Sequence, residues 1–272
     1  MKTTVNSQEI FVGDGGVAWR GDQRTLVLQH GAGMNRTVWV LLTRYFARHG
    51  YNVVAADLPG HGASGGHILA SIEAQAEHVW ALLDSLHETH DLPVDSVVMA
   101  GHSMGALLVT EAAAQRHESV GDLLLFGVGY PMMVAQPLLD AAQANQQSAV
   151  DMIAIYSHSF ASRLGHNPVA GISVQNTAMA MLEQAAPGVL YADLMACNDY
   201  RGLEQACDSL AKSEGVRCAV ISGDADQMTP MKSTRTVVEL LNAEHIVLRD
   251  CGHMMMSEQP EQTLQAACSV LL

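Results

Sequence analysis

Three widely separated groups of residues have the types and spacing needed for acyl transfer. Gly101-His102-Ser103-Met104-Gly105 fits G-x-S-x-G. An apolar run with strand character, Ser96-Val97-Val98-Met99-Ala100, precedes it, and the helix-like Ala106-Leu107-Leu108-Val109-Thr110 follows. A serine on a sharp strand-to-helix turn projects its hydroxyl away from the backbone, toward a base. Flanking glycines allow close backbone approach where a side chain would clash. The helix that follows directs its free N–H groups and positive dipole end at a developing oxyanion. The spacing alone is a weak signal. Its strand–turn–helix context makes Ser103 the candidate nucleophile.

His253, in Asp250-Cys251-Gly252-His253, follows the strand-like run at 245–249. A loop histidine there can reach the serine as a base. With 13 histidines in the chain, any one of them is more often a surface or structural residue. Chain order favours His253, because serine, acid and then histidine is the order of a strand–turn–helix serine triad. The candidate acid is Asp226, just after the strand-like run at 216–222, since a buried carboxylate there would fix the imidazole tautomer and stabilise its cation. Asp224 competes but has the place of a turn former. Pro230 then opens the next helix, with the loop wrapped around Asp226.

His30-Gly31-Ala32-Gly33 follows the run Thr25-Leu26-Val27-Leu28-Gln29. Standing alone it would be an ordinary glycine-rich turn. At this place it can offer a backbone N–H to the oxyanion, with a second from the residue after the nucleophile, so Ala32 and Met104 are the expected donors. Met34, His102, Met132 and Met254 are candidate substrate contacts, because methionine adapts to varied acyl shapes. Core packing is the expected role of at least half of the methionines near these motifs.

These groups need a scaffold. Apolar β-branched runs at 25–29, 52–56, 95–100, 122–127, 216–222 and 245–249 alternate with helical patterns at 38–49, 71–87, 104–116, 231–241 and 261–271. That alternation predicts parallel β-α-β units and a doubly wound, mostly parallel α/β sheet. Near the N-terminus, residues 9–12 and 17–20 are expected to pair as a hairpin across Gly13-Asp14-Gly15-Gly16. The alternation fails between 130 and 200, where Ala, Gln and Met dominate without strand signals. The expectation is a core formed by 1–129 and 201–272, with 130–200 inserted as a helical cap.

Composition narrows the function. The chain has 272 residues, is 49% hydrophobic and carries a formal net charge of -14. An acidic surface repels phosphate backbones, which argues against nucleic acid as a partner. No apolar run approaches the roughly 18 residues of a membrane span. The first residues lack an apolar signal core, and the five cysteines have no C-x-x-C spacing. A cytoplasmic location with reduced thiols is therefore expected. His87-Glu88-Thr89-His90 is not H-E-x-x-H, and the glycine-rich 13–16 segment is not a dinucleotide fingerprint.

Together these motifs resemble the α/β-hydrolase family. The resemblance rests on His30-Gly31-Ala32-Gly33, Asp57-Leu58-Pro59-Gly60-His61-Gly62-Ala63-Ser64, the Ser103 turn, residues 223–230, and Gly252-His253 with Glu258-Gln259-Pro260 beyond it. It covers nearly the whole core and says little about substrate. It implies two-step acyl transfer through Ser103, with no metal or organic cofactor, on a small-molecule ester.

A serine nucleophile argues against the haloalkane dehalogenases and epoxide hydrolases of the fold, which use a carboxylate. His102 and Met254 stand where meta-cleavage C–C hydrolases usually carry Asn and Trp. Ala32 stands where haloperoxidase-like perhydrolases usually carry an aromatic residue. The chain looks closest to serine esterases and monoacylglycerol-lipase-like enzymes, with thioesters and lactones as neighbouring substrates. A small-molecule receptor of the same fold is the non-enzyme alternative. Monomer and homodimer are equally compatible with the sequence.

Overall fold

The computed structural model describes residues 1–166, 168, 170–213 and 215–272. Among them, β1 (Lys2–Val5), β2 (Gln8–Gly13), β3 (Arg24–Gln29), β4 (Tyr51–Ala56), β5 (Val97–His102), β6 (Val120–Phe126), β7 (Arg217–Gly223) and β8 (Glu244–Leu248) form one sheet. Their spatial order is β1-β2-β4-β3-β5-β6-β7-β8. β1 pairs with β2 and β2 with β4 antiparallel, and every other pairing is parallel.

Twelve α-helices cover the sheet and its carboxyl edge among the described residues: α1 (Val40–Ala47), α2 (Ile72–His90), α3 (Met104–Gln115), α4 (Gln136–Gln143), α5 (Gln147–Tyr156), α6 (Phe160–Arg163), α7 (Val174–Leu182), α8 (Val189–Asp199), α9 (Leu203–Lys212), α10 (Met231–Leu241), α11 (Met255–Glu258) and α12 (Pro260–Leu271). The doubly wound α/β arrangement expected from the sequence is present. No helix among the described residues is long and apolar enough to cross a membrane.

The central strands are buried on both faces, which is why they are continuous apolar runs and not alternating ones. Along β5, Val97 and Met99 pack on one face with α2, α3, α9 and α10. Val98 and Ala100 pack on the other with α1 and α12. Two-residue periodicity thus divides one strand between two cores. A third apolar cluster joins α4, α5, α7 and α8 to Met34 and Met254 at the carboxyl edge of the sheet.

The hairpin partner of β2 is Lys2–Val5, not 17–20. Asn6 and Ser7 both take positive φ (49° and 65°), the backbone of a tight two-residue hairpin turn. Residues 17–20 form no strand because the Asn52 side chain pairs with Arg20, accepting from its N–H and donating to its carbonyl at 2.8 Å each. Helix α9 has no counterpart in the sequence reading. Leu203, Cys207 and Leu210 at i, i+4 and i+7 bury one stripe in the same core as α3 and α10.

Candidate active site

Ser103 sits between β5 and α3 with φ 56° and ψ -118°, a sparsely populated backbone state for a residue with a side chain. Such states cost about 1–3 kcal/mol and persist only where the surroundings enforce them. Here the enforcement is steric. A Cβ on Gly101 would lie 2.1 Å from the Gly105 carbonyl oxygen, and one on Gly105 would lie 2.3 Å from the Gln29 carbonyl oxygen. The two motif glycines let the first turn of α3 press onto β5 and β3, and this presents Ser103 at the strand end. Ser103 is half-buried, and its side chain makes no hydrogen bond among the described residues.

Gln29 pairs with Gly101, which sets the turn after β3 beside this elbow. A Cβ on Gly31 would lie 3.2 Å from Ser103 Cβ. The Met34 N–H donates to the Gly31 carbonyl at 3.2 Å and closes the turn. His30 is fully buried. Its Nδ1 donates to the Gly31 carbonyl at 2.9 Å, and its Nε2 accepts from the Leu58 N–H at 3.1 Å. One donor and one acceptor suit a neutral ring, and burial, aided by nearby His61, pushes its pKa down to about 3. The Ala32 and Met104 amides make no hydrogen bond among the described residues.

Asp226 and His253 come from the loops after β7 and β8. The His253 Nδ1–H donates to Asp226 Oδ2 at 2.8 Å, in a pair with at most 3% side-chain exposure. The other oxygen, Oδ1, accepts the Met228 and Thr229 N–H groups at 2.8 and 2.9 Å, and Oδ2 also takes the Thr229 hydroxyl at 2.7 Å. Burial alone pushes the Asp226 carboxyl up. The His253 ring and the Thr229 donors outweigh it and hold the group below the ordinary carboxylate value. Asp224 is exposed, and its carboxylate accepts the Cys251 N–H at 3.2 Å, in keeping with a turn role.

The His253 loop has further supports that the sequence did not reveal. The Ser157 carbonyl accepts the His253 N–H, and the His102 Nε2–H donates to the His253 carbonyl at 2.9 Å. Gly127 (φ 57°) leaves room beside the imidazole, since a Cβ there would lie 3.1 Å from its Cε1. Thr229 follows its acid by three residues and was in principle findable, because a hydroxyl at that offset can cap a loop carboxylate. Ser157 gave no signal, being 96 residues from its partner in sequence.

A cavity of about 400 Å³ is lined by both Ser103 and His253. Ala32, expected as an oxyanion donor, and Met34 and Met132, expected as substrate contacts, are also in its wall. His102 and Met254 are not, which corrects their assignment as substrate contacts. His102 has 0% exposure, edge-on to Trp39, with its Nε2 committed to the His253 backbone. Burial, with His253 adding to it, pushes its pKa down to about 3. Met254 points into the cluster beneath α4, α5 and α7. Each neighbours a site residue in sequence and turns the other way. α5 and α8 complete the wall with Met152, Ile153, Tyr156 and Leu194.

Residues 26–266 match the family described as "Alpha/beta hydrolase family". The chain is similar to (E)-2-((N-methylformamido)methylene)succinate hydrolase of Acinetobacter baylyi, 26% identical over 91% of this chain and 90% of the relative. It is also similar to a monoacylglycerol lipase of Mycolicibacterium smegmatis, 25% identical over 97% of this chain and 95% of the relative. A thermophilic esterase structure from Thermogutta terrifontis superposes with a TM-score of 0.80 at 20% identity, covering 100% of this chain and 97% of that one. With its β-α-β core, its strand-end loops and a family match across nearly its whole length, this chain belongs to the alpha/beta hydrolase family.

Proposed function

We propose that this hydrolase is a serine esterase, cleaving carboxylic esters of small to medium, uncharged acyl groups through an acyl-enzyme. The observation that carries the reading is the buried 2.8 Å bond between His253 Nδ1 and Asp226, at a cavity that Ser103 also lines. With Nδ1–H donated to Asp226, a neutral ring presents its Nε2 lone pair as base.

In the proposed cycle, His253 Nε2 takes the Ser103 proton as Oγ bonds to the ester carbonyl carbon. The carbonyl oxygen becomes an oxyanion held by the Ala32 and Met104 amides, which have no competing partner. The imidazolium, stabilised by Asp226, returns its proton to the departing alkoxide as the C–O bond breaks. Water repeats the sequence on the acyl-enzyme: His253 takes its proton, the carboxylic acid leaves, and Ser103 recovers its hydrogen. Losing one oxyanion donor costs about 3–4 kcal/mol of barrier.

The helices between β6 and β7 act as a cap in this reading, because α4, α5 and α8 supply the wall opposite Ser103. The lining favours an apolar acyl chain, with methionines at 34, 132 and 152 and no lysine or arginine among the described lining residues. The substrate named for the Acinetobacter relative is a succinate. A dicarboxylate would meet no cationic side chain in this wall.

The test is turnover of p-nitrophenyl butyrate. The intact protein should give a burst and steady release of nitrophenol, and Ser103→Ala should abolish both. Ligand binding without turnover by the intact protein would favour a receptor and overturn the reading.

A further inference from the structure

We propose that Asp193 is a positioning residue for the oxyanion turn. From helix α8, one carboxylate oxygen takes both the Gly33 N–H and the His61 ring N–H, so the helices over the site, and not the sheet alone, fix where the Ala32 amide points. The inference rests on the reading of Ala32 as an oxyanion donor.

The Gly33 N–H donates to Asp193 Oδ2 at 2.8 Å, across 160 residues of chain, and His61 Nε2 lies 2.8 Å from the same oxygen. The side chains of His61 and Asp193 are 2% and 0% exposed. His61 Nδ1 lies 3.0 Å from the Pro59 carbonyl. Both ring nitrogens face oxygen acceptors, so the ring that makes both bonds carries both protons and is a cation. Burial opposes this charge. The Asp193 carboxylate, the Pro59 carbonyl and more distant Asp57 outweigh burial and hold His61 above its ordinary value.

Other ionisable groups near this knot are otherwise engaged. His30, with its ring centroid 5.0 Å from that of His61, is saturated as a neutral ring. Asp57 pairs with Arg36 and takes the Arg36 and Ala63 N–H groups. The Cys197 thiol, one turn along α8, is pushed up by burial and by Asp193.

A buried ion pair is a weak source of net stability but a strict source of geometry, because breaking it strands a charge. Asp193 Oδ2 alone carries both contacts among the described residues. The gain is local. Gly33 has φ 66°, directly follows Ala32, and has its N–H fixed from above. Without that acceptor, the hydrogen bonds left within the 30–33 turn among the described residues are the Gly31–Met34 bond and those of the His30 ring, and the Ala32 amide is less constrained.

The test uses the full-length protein with Asp193→Ala and Asp193→Asn. Asp193→Ala should lower kcat for p-nitrophenyl butyrate about tenfold or more while KM changes less than about twofold, since an oxyanion contact acts on the transition state. Asp193→Asn keeps an acceptor for Gly33 and should recover most of kcat. It should also lower the His61 titration, followed by NMR of the ring nitrogens, relative to the parent, because burial is then no longer offset by the carboxylate. Gly33 amide hydrogen exchange should accelerate in Asp193→Ala and less so in Asp193→Asn. Unchanged Gly33 exchange in Asp193→Ala, or an unchanged kcat in that variant of an active enzyme, would overturn the proposal. If Asp193→Ala does not fold, a His61 titration in Asp193→Asn identical to that of the parent overturns it. A parent protein with no esterase turnover would refute the serine-esterase reading, and the exchange and titration data would still decide whether Asp193 holds the turn.

Discussion

Ser157 and His253 are joined through the backbone, the Ser157 carbonyl accepting the His253 N–H at 2.8 Å and the adjoining Met254 N–H at 3.1 Å. Two residues on, the Ser159 N–H donates to the buried Glu258 carboxylate at 2.9 Å. The end of α5 and the start of α6 are therefore stitched to the loop that carries the proposed base. Glu258→Ala leaves the Ser159 amide unpaired in the interior, at a cost of about 1–3 kcal/mol. Glu258→Gln keeps the acceptor and should cost less. Urea unfolding of the two variants measures the difference, and equal stabilities would mean the contact contributes nothing.

If Ser103 and His253 act as a unit, Ser103→Ala and His253→Ala should each remove nearly all turnover, on the order of 10⁶ in kcat, and the double variant should be scarcely worse than either. Losses that multiply in the double variant would mean the two residues act independently.

Asp226→Asn should lower kcat by roughly 10⁴, because an amide in that place favours the wrong imidazole tautomer. Asp224→Asn should change kcat little, its carboxylate being exposed and bonded to the Cys251 amide. Steady-state kinetics of both variants settle the order, and a larger loss from Asp224→Asn would transfer the acid role to it. Thr229→Val removes one donor from Asp226 Oδ2 and should fall between these two.

Stability should decline at acid pH in two stages. His30 and His102 are held down to about 3 in the folded protein against an ordinary 6.5, so unfolding takes up protons below about pH 6.5 and their contribution is lost progressively toward pH 3. Asp226 is held below 3.8, so its contribution is complete above that value and is lost as pH falls through the lower folded one. His61 has the opposite sign: held above 6.5, it stabilises fully below that pH and its contribution disappears as pH rises through the folded value. Urea midpoints across the pH range test this, and Asp193→Asn should flatten the alkaline side.

Acyl-chain preference should follow the wall. With nitrophenyl esters of graded length, kcat/KM should rise beyond acetate and fall once the cavity of about 400 Å³ is filled. Hemisuccinate esters should be poor substrates, for want of a cation in the lining. A preference for the hemisuccinate would contradict the apolar reading.

The local parts of this architecture were legible in the sequence. A strand, a sharp glycine turn and a helix are contiguous, so the Ser103 elbow could be read from neighbouring residues. The choice of His253 rests on chain order, and that of Asp226 over Asp224 on the turn position of Asp224 and on Pro230 opening the next helix. Contacts closed by tertiary structure were not legible. Asp193 meets Gly33 across 160 residues, and no spacing encodes that. His102 and Met254 were misassigned because adjacency in sequence to a site residue says nothing about which way a side chain turns. Residues 17–20 looked like a strand by composition, but Asn52 satisfies the Arg20 backbone that a strand partner would have taken.

Strands β6 and β7 are immediate neighbours, with Phe126 beside Ile221. Between them α4 to α8 run over the carboxyl edge, and the chain returns through α9, packed in the core with α3 and α10, to a strand one spacing away, about 4.8 Å. An excursion anchored at two adjacent points can lengthen, shorten or be exchanged at small entropic cost, since closure cost grows slowly with loop length. The groups proposed for bond breaking are attached to the sheet, while much of the wall that meets the acyl chain is attached to the excursion. In the serine-esterase reading the excursion is thus a unit that can be varied for acyl preference, but not a detachable one: a transplanted segment must keep Asp193 and Ser157, which hold the backbone at Gly33 and His253.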